Sequence, residues 1–267
     1  MKHKSGNTPL IKNFSLCKLT NMPNLLVKDE SKNPFGTIKD RKSEEIIKKA
    51  IISGVDKLVL ITSGNFGYSL SRFSEGSNIK VTCVVDNNID KKIELKLRKY
   101  SSSLIKIDLS RRILKSEELI SLARENEQEV IWDVTNGFSE VYKNIILEIK
   151  KEKPDYIICP IGSGEIFRGL YEGIKEDNMK TNLIGVSPKN KEESFADKLS
   201  AIWIPPMKIR KRSEIIKLDE SEIRRAYETF RKYFNSEPSS AVVYGVLKKL
   251  KIENTSKVII INSGKGR

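Results

Sequence analysis

The sequence has few of the side chains that most often carry acid–base or metal chemistry. It contains one histidine, His3, and three cysteines, Cys17, Cys83 and Cys159, in 267 residues. A single histidine, placed near the start of the sequence, argues against Ser-His-Asp triads and most zinc sites. Cys83 and Cys159 lie within the apolar stretches VTCVV and YIICPI, a setting typical of buried strand thiols. We therefore predict no metal site, and any chemistry must come from lysine, carboxylate or hydroxyl groups or from a cofactor.

Long apolar runs are also missing. No apolar stretch approaches the roughly 20 residues that span a bilayer. The opening MKHKSGNTPL lacks the apolar segment of a secretory signal. The expectation is a soluble, cytoplasmic protein with no membrane contact, long enough for one large or two modest domains.

Acidic residues are outnumbered by basic ones, 35 against 49, which gives a net charge of +14. Such a balance is compatible with nucleic acid, an anionic membrane surface or acidic ligands as partners. The basic residues alternate with acids in most of the predicted helices, which favours solvated helix faces over a nucleic-acid site. Nucleic-acid binding stays an alternative that steeply salt-dependent retention of DNA or RNA would support.

Apolar segments of strand length alternate with amphipathic segments of helix length. The predicted strands are LLVKDE, KLVLI, KVTCVV, LIKIDL, EVIWDV, YIICPI, NLIGVS and KVIIIN. The predicted helices are TIKDRKSEEIIKKAIIS, a short one after TSGNFG, IELKLRKY, SEELISLARENE, SEVYKNIILEIKKE, IFRGLYEGIKE, IRRAYETFRKYF and SSAVVYGVLKKLK. This alternation predicts an α/β fold with mostly parallel sheets flanked by helices. Residues 188–217, which include Pro205 and Pro206, are expected to form a long surface excursion.

Three strand ends carry small and polar residues, at 62–67 (TSGNFG), 162–165 (GSGE) and 263–266 (SGKG). Ligands of parallel α/β folds bind at the carboxyl ends of strands. Glycines there permit close approach, and N–H groups at a helix start attract anions, so the 162–165 loop is a candidate phosphate cradle. The alternatives are a tight strand-to-helix turn for the first stretch and a frayed chain end for the last.

A dinucleotide site is excluded at the 162–165 loop. The glycine that a Rossmann fingerprint needs three residues after Gly164 is replaced by Phe167, and the next strand ends at Ser187, where an acid would be needed for a ribose. The sequence also contains no GxxxxGK[ST] nucleotide loop.

Lys39 lies in an unusual local setting. The turn Asn33-Pro34-Phe35-Gly36 precedes Thr37, which resembles an N-cap and places Lys39 in the first turn of a helix. The helix dipole disfavours a cation there and lowers the cost of a neutral, nucleophilic lysine. The alternative is an exposed lysine that the position merely tolerates.

Five stretches together resemble the fold type II enzymes dependent on pyridoxal 5′-phosphate (PLP), the tryptophan-synthase-β-like superfamily. GNTPL (6–10) and TSGNFG (62–67) are similar to cysteine synthases. VKDESKNPFGTIKDR (27–41) resembles the lysine motif of threonine synthases. SEPSSAVVYGVLKKL (236–250) and INSGKG (261–266) are most similar to threonine synthases and threonine deaminases. The motifs are closest overall to threonine synthase.

The resemblance implies a two-domain protein with PLP between the domains, and a homodimer. Residues 1–43 and 141–267 would form the large domain and residues 44–140 the small one. Lys39 would form the Schiff base with PLP and move the substrate Cα proton. The other implied contacts are Asn65 to the 3′ oxygen of the ring, Ser263 to the pyridine nitrogen, Thr62, Ser63, Gly64, Asn65 and Phe66 to the substrate carboxylate, and Gly162, Ser163, Gly164, Glu165 and Ile166 to the phosphate.

Two features depart from that family. The phosphate loop usually continues with Gly, Asn or Thr, and here Glu165 follows Gly164. A carboxylate about 5 Å from a phosphate would cost roughly 3 kcal/mol per unit charge at an effective dielectric near 20. We expect Glu165 to point away, the alternatives being a pairing with a cation such as Arg168 or contact with substrate. The chain is also short beside a typical threonine synthase.

The resemblance implies a PLP-dependent lyase or transferase acting on a small amino acid. Threonine-synthase-like elimination and replacement is the first choice, with cysteine synthase or serine/threonine dehydratase as the second. Glu165 and the short chain motivate a further alternative, a non-catalytic PLP-binding relative. The hydroxyl of Ser263 cannot hold a proton on the pyridine as an aspartate would, which favours elimination over transamination.

Overall fold

The chain forms two compact units. A computed structural model describes residues 3–109, 114–191, 193–199 and 212–265. The first unit comprises Met1–Ser5 and Lys39–Gly137, and the second comprises Gly6–Ile38 and Phe138–Arg267. The sequence placed the division at 43/44 and 140/141. Pro205, Pro206 and Gly266, which entered the sequence predictions, lie outside the described residues.

The elements are numbered here along the chain. The strands are β1 (Leu10–Ile11), β2 (Leu25–Asp29), β3 (Lys57–Ile61), β4 (Lys80–Asp86), β5 (Ser103–Ile107), β6 (Ile131–Asp133), β7 (Tyr156–Pro160), β8 (Asn182–Pro188), β9 (Ser213–Leu218) and β10 (Val258–Asn262). The α-helices are α1 (Phe14–Thr20), α2 (Lys39–Ser53), α3 (Asn65–Ser74), α4 (Lys91–Tyr100), α5 (Ser116–Ala123), α6 (Lys143–Ile149), α7 (Glu165–Glu176), α8 (Glu220–Phe230) and α9 (Pro238–Gly245). None of these helices has the length and apolarity needed to cross a bilayer.

The described part of the second unit contains a six-stranded sheet in the order β1-β2-β10-β7-β8-β9. Only the pairing of β1 with β2 is antiparallel among these strands. Ile260 of β10 lies opposite Val27 of β2 on one side and Ile158 of β7 on the other. The carboxyl ends of β2, β10 and β7 therefore meet at one edge of the sheet.

Strand β10 shows why this sheet is covered on both faces. Val258 and Ile260 belong to a core cluster with residues of α8 and α9, whereas Ile259 and Ile261 belong to a cluster with residues of α6 and α7. Successive strand residues point to opposite faces, so an uninterrupted apolar strand needs helices on both sides. The VIIIN sequence of β10 is such an apolar strand, and helices of this unit cover both of its faces.

The described part of the first unit contains a four-stranded parallel sheet in the order β5-β4-β3-β6. The chain moves from β3 to β4 to β5 in one direction and then returns to place β6 on the other side of β3. Such a reversal creates a crevice at the carboxyl ends of the two flanking strands, and α/β folds bind ligands there. The residues that follow β3 and β6 are consequently the candidate site residues of this unit.

The structure corrects several element predictions. α2 begins at Lys39, two residues after the predicted N-cap at Thr37, and Thr37 forms an antiparallel bridge with Gly264. Residues 213–217, expected in a surface excursion, form most of β9 and pair in parallel with β8. The helix predicted from SSAVVYGVLKKLK ends at Gly245 in the structure, and α1 was not predicted.

Candidate active site

Lys39 is fixed by the backbone that precedes it. The N–H of Ile38 donates to the Ser263 carbonyl at 2.8 Å, and the N–H of Lys265 donates to the Gly36 carbonyl at 3.0 Å. Ile38 itself is buried in the core of the second unit. Lys39 follows at once as the first residue of α2 and is half-buried. The residues that follow β10 thus anchor residues 36–38, directly ahead of Lys39.

Gly36 makes this anchoring sterically feasible. Its φ is +82°, a region that favours glycine, and a Cβ there would overlap the Lys265 side chain. The close approach pins residues up to Lys265, which excludes the frayed-end alternative for the described part of that stretch.

Ser263 follows the last residue of β10 and is 7% exposed. Its Oγ lies 2.7 Å from Oγ of Ser240, a fully buried residue in the first turn of α9. Ser240 Oγ also lies 3.2 Å from the Gly264 carbonyl oxygen, which it can reach as a donor. Ser263 is therefore held in a buried hydroxyl pair.

The 162–164 loop joins β7 to the 12-residue helix α7. Gly164 adopts φ +87°, and a Cβ at Gly162 would lie 3.2 Å from the Lys198 carbonyl oxygen, so neither position suits a side chain. The first N–H groups of α7 lack intrahelical partners and carry the positive end of the helix dipole. Loop and helix start together have the donors that an anion needs.

Glu165 is buried at the start of α7, and its Oε1 accepts the Phe138 N–H at 3.1 Å. Arg168, which we considered as its partner, instead pairs through Nε with Glu172 at 3.0 Å. Backbone donation from Phe138 thus accounts for one carboxylate oxygen of Glu165. Its orientation relative to a bound phosphate stays a prediction.

In the first unit, residues 62–66 connect β3 to α3. Thr62 Oγ1 accepts the N–H groups of Gly64 at 2.9 Å and Gly67 at 3.1 Å, which folds the loop around a buried hydroxyl. A Cβ at Gly67 would lie 2.7 Å from Thr62 Cγ2, so glycine lets α3 approach the strand end. Ser63 is exposed at the tip of the loop, and Asn65 is the first residue of α3.

Lys42 and Thr135 belong to this part of the first unit and were missed by the sequence prediction. Thr135 follows β6, and its Oγ1 accepts the Ile61 N–H at 3.1 Å. Lys42 is 1% exposed, donates from Nζ to the Thr135 carbonyl at 2.8 Å and lies 4.4 Å from the centre of the Phe66 ring. It joins the ends of β3 and β6 to α2. The sequence feature that could have identified Lys42 is its position three residues after Lys39, because residues three apart fall on the same side of a helix.

The comparison with known families agrees with these observations. A family model described as "Pyridoxal-phosphate dependent enzyme" matches residues 1–264. The chain belongs to this family, and PLP is the cofactor of its members.

Solved structures with the same fold include several amino-acid enzymes. Maize serine racemase matches at a TM-score of 0.81 and 19% identity, covering 98% of this chain and 89% of that one. Cysteine synthase from Entamoeba histolytica matches at 0.81 and 20%, covering 98% and 86%. Serine racemase from Dictyostelium discoideum matches at 0.80 and 20%, covering 98% and 93%. The α/β fold with mostly parallel sheets, predicted from the sequence, is confirmed. The closeness to threonine synthase stays a prediction.

The side chains of the second unit fit PLP chemically. The 162–164 loop and Ser263 leave β7 and β10, which are adjacent parallel strands, at the same sheet edge. The 162–164 loop offers backbone N–H groups between two glycines, where a phosphate can approach closely. Ser263 offers a single hydroxyl, which can pair with a ring nitrogen.

Proposed function

We propose that this protein is a PLP-dependent lyase or transferase that acts on a small amino acid by elimination and replacement, as threonine synthases do. The observation that carries the proposal is the buried Ser263, which follows β10 and whose backbone carbonyl accepts the N–H of Ile38, the residue directly before Lys39. The motifs at 27–41 and 236–250 support the threonine-synthase-like assignment within the family.

PLP, when bound, supplies an electron sink for the bonds at the substrate Cα. Lys39 Nζ would hold the cofactor aldehyde and later carry the substrate Cα proton. Backbone N–H groups of residues 62–66 and the start of α3 would bind the substrate carboxylate. Residues 162–166 would hold the cofactor phosphate, with Asn65 at the ring 3′ oxygen.

Ser263 carries the reaction preference in this proposal. A hydroxyl has a pKa far above that of a carboxylic acid and cannot keep a pyridine nitrogen protonated by charge pairing, so the ring accepts electrons less strongly. Loss of a leaving group from the substrate then competes well with reactions that need a long-lived carbanion. Threonine-synthase-like, cysteine-synthase-like and dehydratase-like reactions all share this step.

Borohydride reduction followed by peptide mapping tests the role of Lys39. The pyridoxyl label is expected on Lys39, and fragment masses separate it from Lys42 three residues later. Lys39→Ala should lose the label, whereas Lys42→Arg should keep it. A wild-type protein that takes no label, or takes it at another lysine, contradicts the proposal.

Absorbance spectra with four substrates test the reaction. O-phosphohomoserine should change the cofactor spectrum and release phosphate with formation of threonine. A response to O-acetylserine and sulfide alone, or to serine or threonine alone, would instead favour the cysteine-synthase or dehydratase candidate, which the motifs at 6–10 and 62–67 support. A yellow protein that responds to none would favour a non-catalytic relative, the candidate that Glu165 motivates.

The family resemblance also leads us to propose a homodimer with small amino-acid substrates. Light scattering coupled to size-exclusion chromatography gives the mass directly. One chain weighs 30.4 kDa, so a particle of about twice that mass is expected.

A further inference from the structure

We propose that Ser240 is a positioning residue that sets the direction of the Ser263 hydroxyl proton and thereby the hydrogen bond to the cofactor ring nitrogen. The inference rests on the proposed function, which places Ser263 at that nitrogen. It concerns a different residue, which would not itself contact the cofactor.

The hydroxyl pair contains two protons and a limited set of acceptors. Ser240 and Ser263 are 0% and 7% exposed, so water reaches them poorly. Their oxygens are 2.7 Å apart, and Ser240 Oγ lies 3.2 Å from the Gly264 carbonyl. Each hydroxyl donates one proton, so only one of the two serines can donate across the short contact.

Two arrangements of the protons follow. If Ser240 donates to Ser263, the Ser263 proton is left to point outward, toward an unprotonated ring nitrogen. If Ser240 donates to the Gly264 carbonyl, Ser263 donates to Ser240 and presents only lone pairs, which suit a protonated ring nitrogen.

The first arrangement is the one that we infer. It uses the shorter contact of Ser240, 2.7 Å against 3.2 Å. The Gly264 carbonyl already accepts the Glu237 N–H at 3.1 Å, so it does not depend on Ser240. A donation from Ser240 also makes the Ser263 hydroxyl a stronger donor, because chained hydrogen bonds polarise one another.

Ser240→Ala tests the inference, with Ser239→Ala as the matched control. Ser239 is also buried in α9, but its Oγ accepts the Lys198 N–H at 3.0 Å. Loss of one neutral hydrogen bond predicts roughly fivefold weaker PLP binding for Ser240→Ala. The ¹⁵N chemical shift of the pyridine nitrogen in labelled PLP should change as well. Ser239→Ala should leave that chemical shift at the wild-type value.

A double-mutant cycle separates positioning from a general structural effect. If Ser240 acts through Ser263, adding Ser240→Ala to Ser263→Ala should leave the ¹⁵N shift unchanged from Ser263→Ala alone. An additive further change in the double variant would overturn the inference. Should Ser240→Ala fail to fold, Ser240→Cys, which has a weaker donor, should move the chemical shift in the same direction by less.

The outcomes also separate this inference from the proposed function. A protein that takes the borohydride label on Lys39, but whose ¹⁵N shift is the same in wild type and Ser240→Ala, refutes the role of Ser240 and leaves the function intact. A protein that takes no label refutes the function.

Discussion

Cys83 shows how burial changes the chemistry of a single side chain. Its thiol is fully buried, and desolvation raises its pKa to about 12 despite hydrogen bonds with Ser71 and Ser101 that act in the opposite direction. Burial also raises the pKa of the Cys159 thiol. The reactive form of cysteine is the thiolate. Both residues match the sequence prediction of buried strand thiols.

We predict that iodoacetamide at pH 8 does not modify Cys83 in the folded protein. A pKa of about 12 leaves only about one thiol in ten thousand ionised at that pH. Peptide mass spectrometry after a timed reaction measures the modification, and the same reaction in urea is the control. Rapid modification of Cys83 without urea would show that β4 becomes exposed readily in the folded protein.

Lys39 and Lys42 show what the sequence could and could not predict at the scale of residues. Lys39 follows a recognisable turn and lies in a motif, so local pattern was enough. The contact of Lys42 is with a carbonyl 93 residues further along the chain, at Thr135. Likewise, the partner of Ser240 is Ser263, 23 residues away. Local sequence contains no sign of such pairs, which exist only once the strands are aligned.

Replacement of Lys42 by methionine should destabilise the first unit. The change leaves the Thr135 carbonyl without this donor and removes the cation from the Phe66 ring. The expected loss in unfolding free energy is about 1–3 kcal/mol. Urea titration measures it. Lys49→Met is the control, because the Lys49 side chain is 53% exposed on the same helix and should change stability by less than about 0.5 kcal/mol.

Helix α2 is joined to the N-terminal segment through Glu44. One carboxylate oxygen lies 2.6 Å from both N and Oγ of Ser5, and the other lies 2.6 Å from Lys48 Nζ. Burial opposes ionisation of this carboxyl, but the hydrogen bonds from Lys48 and Ser5 outweigh it and lower its pKa from 4.5. A lowered pKa contributes stability above the unfolded value, and the contribution disappears as the pH falls through the folded value.

Glu44→Gln should therefore reduce stability at pH 7 by about 1–3 kcal/mol and by progressively less below about pH 4.5. Unfolding free energies measured from pH 7 to pH 3 give the two curves. The control is Glu45→Gln, since that carboxylate is more exposed and lies 3.6 Å from Lys49. Parallel curves for wild type and Glu44→Gln would show that ionisation of Glu44 does not contribute to stability in this pH range.

Helix α7 packs closely because it contains two glycines. A Cβ at Gly169 would overlap the Ser139 backbone oxygen, whereas a Cβ at Gly173 would meet the side chain of Ile146 at 2.8 Å. A backbone atom cannot move aside by a rotamer change, but a side chain can. Both alanine variants gain the same helix propensity, so they form a matched pair.

We expect Gly169→Ala to cost about 1–3 kcal/mol of unfolding free energy, and Gly173→Ala to cost less. Denaturant titration of both variants checks the order. Since α7 begins at the 162–164 loop, which we propose binds the cofactor phosphate, Gly169→Ala should also weaken PLP binding. Equal stability of the two variants would mean that the whole of α7 can move away from Ser139 with little loss of unfolding free energy.

The elements themselves were predictable where the pattern was long and apolar. VIIIN, KLVLI and YIICPI became β10, β3 and β7, because uninterrupted apolar strands can be buried only inside a sheet. α1 has seven residues, too few for a clear helical period. β9 follows Pro205 and Pro206 in the sequence, within a stretch of weak periodicity that hides a short strand. The bridge between Thr37 and the distant Gly264 could not be predicted from local sequence.

At the scale of the whole molecule, alternation along the chain predicted parallel sheets but could not predict strand order. The neighbours of β10 are β2 and β7, which precede it by more than 90 residues. Strand order depends on which faces become buried, and that is decided by contacts across the entire chain. The family resemblance, and not periodicity, was what indicated where the glycine loops and Ser263 would act.

Binding of PLP should raise the melting temperature of the whole protein. A ligand that binds only the folded state stabilises it by about 2.7 kcal/mol when its concentration is 100 times the dissociation constant. For a chain of this size, that corresponds to roughly 5–10 °C. Protein stripped with hydroxylamine and then titrated with PLP gives the comparison in a thermal scan. On the proposed role of Lys39, Lys39→Ala should lose the covalent link to PLP, so its shift at the same PLP concentration should be smaller. An unchanged melting temperature in the wild type would mean that this chain does not hold the cofactor of its family.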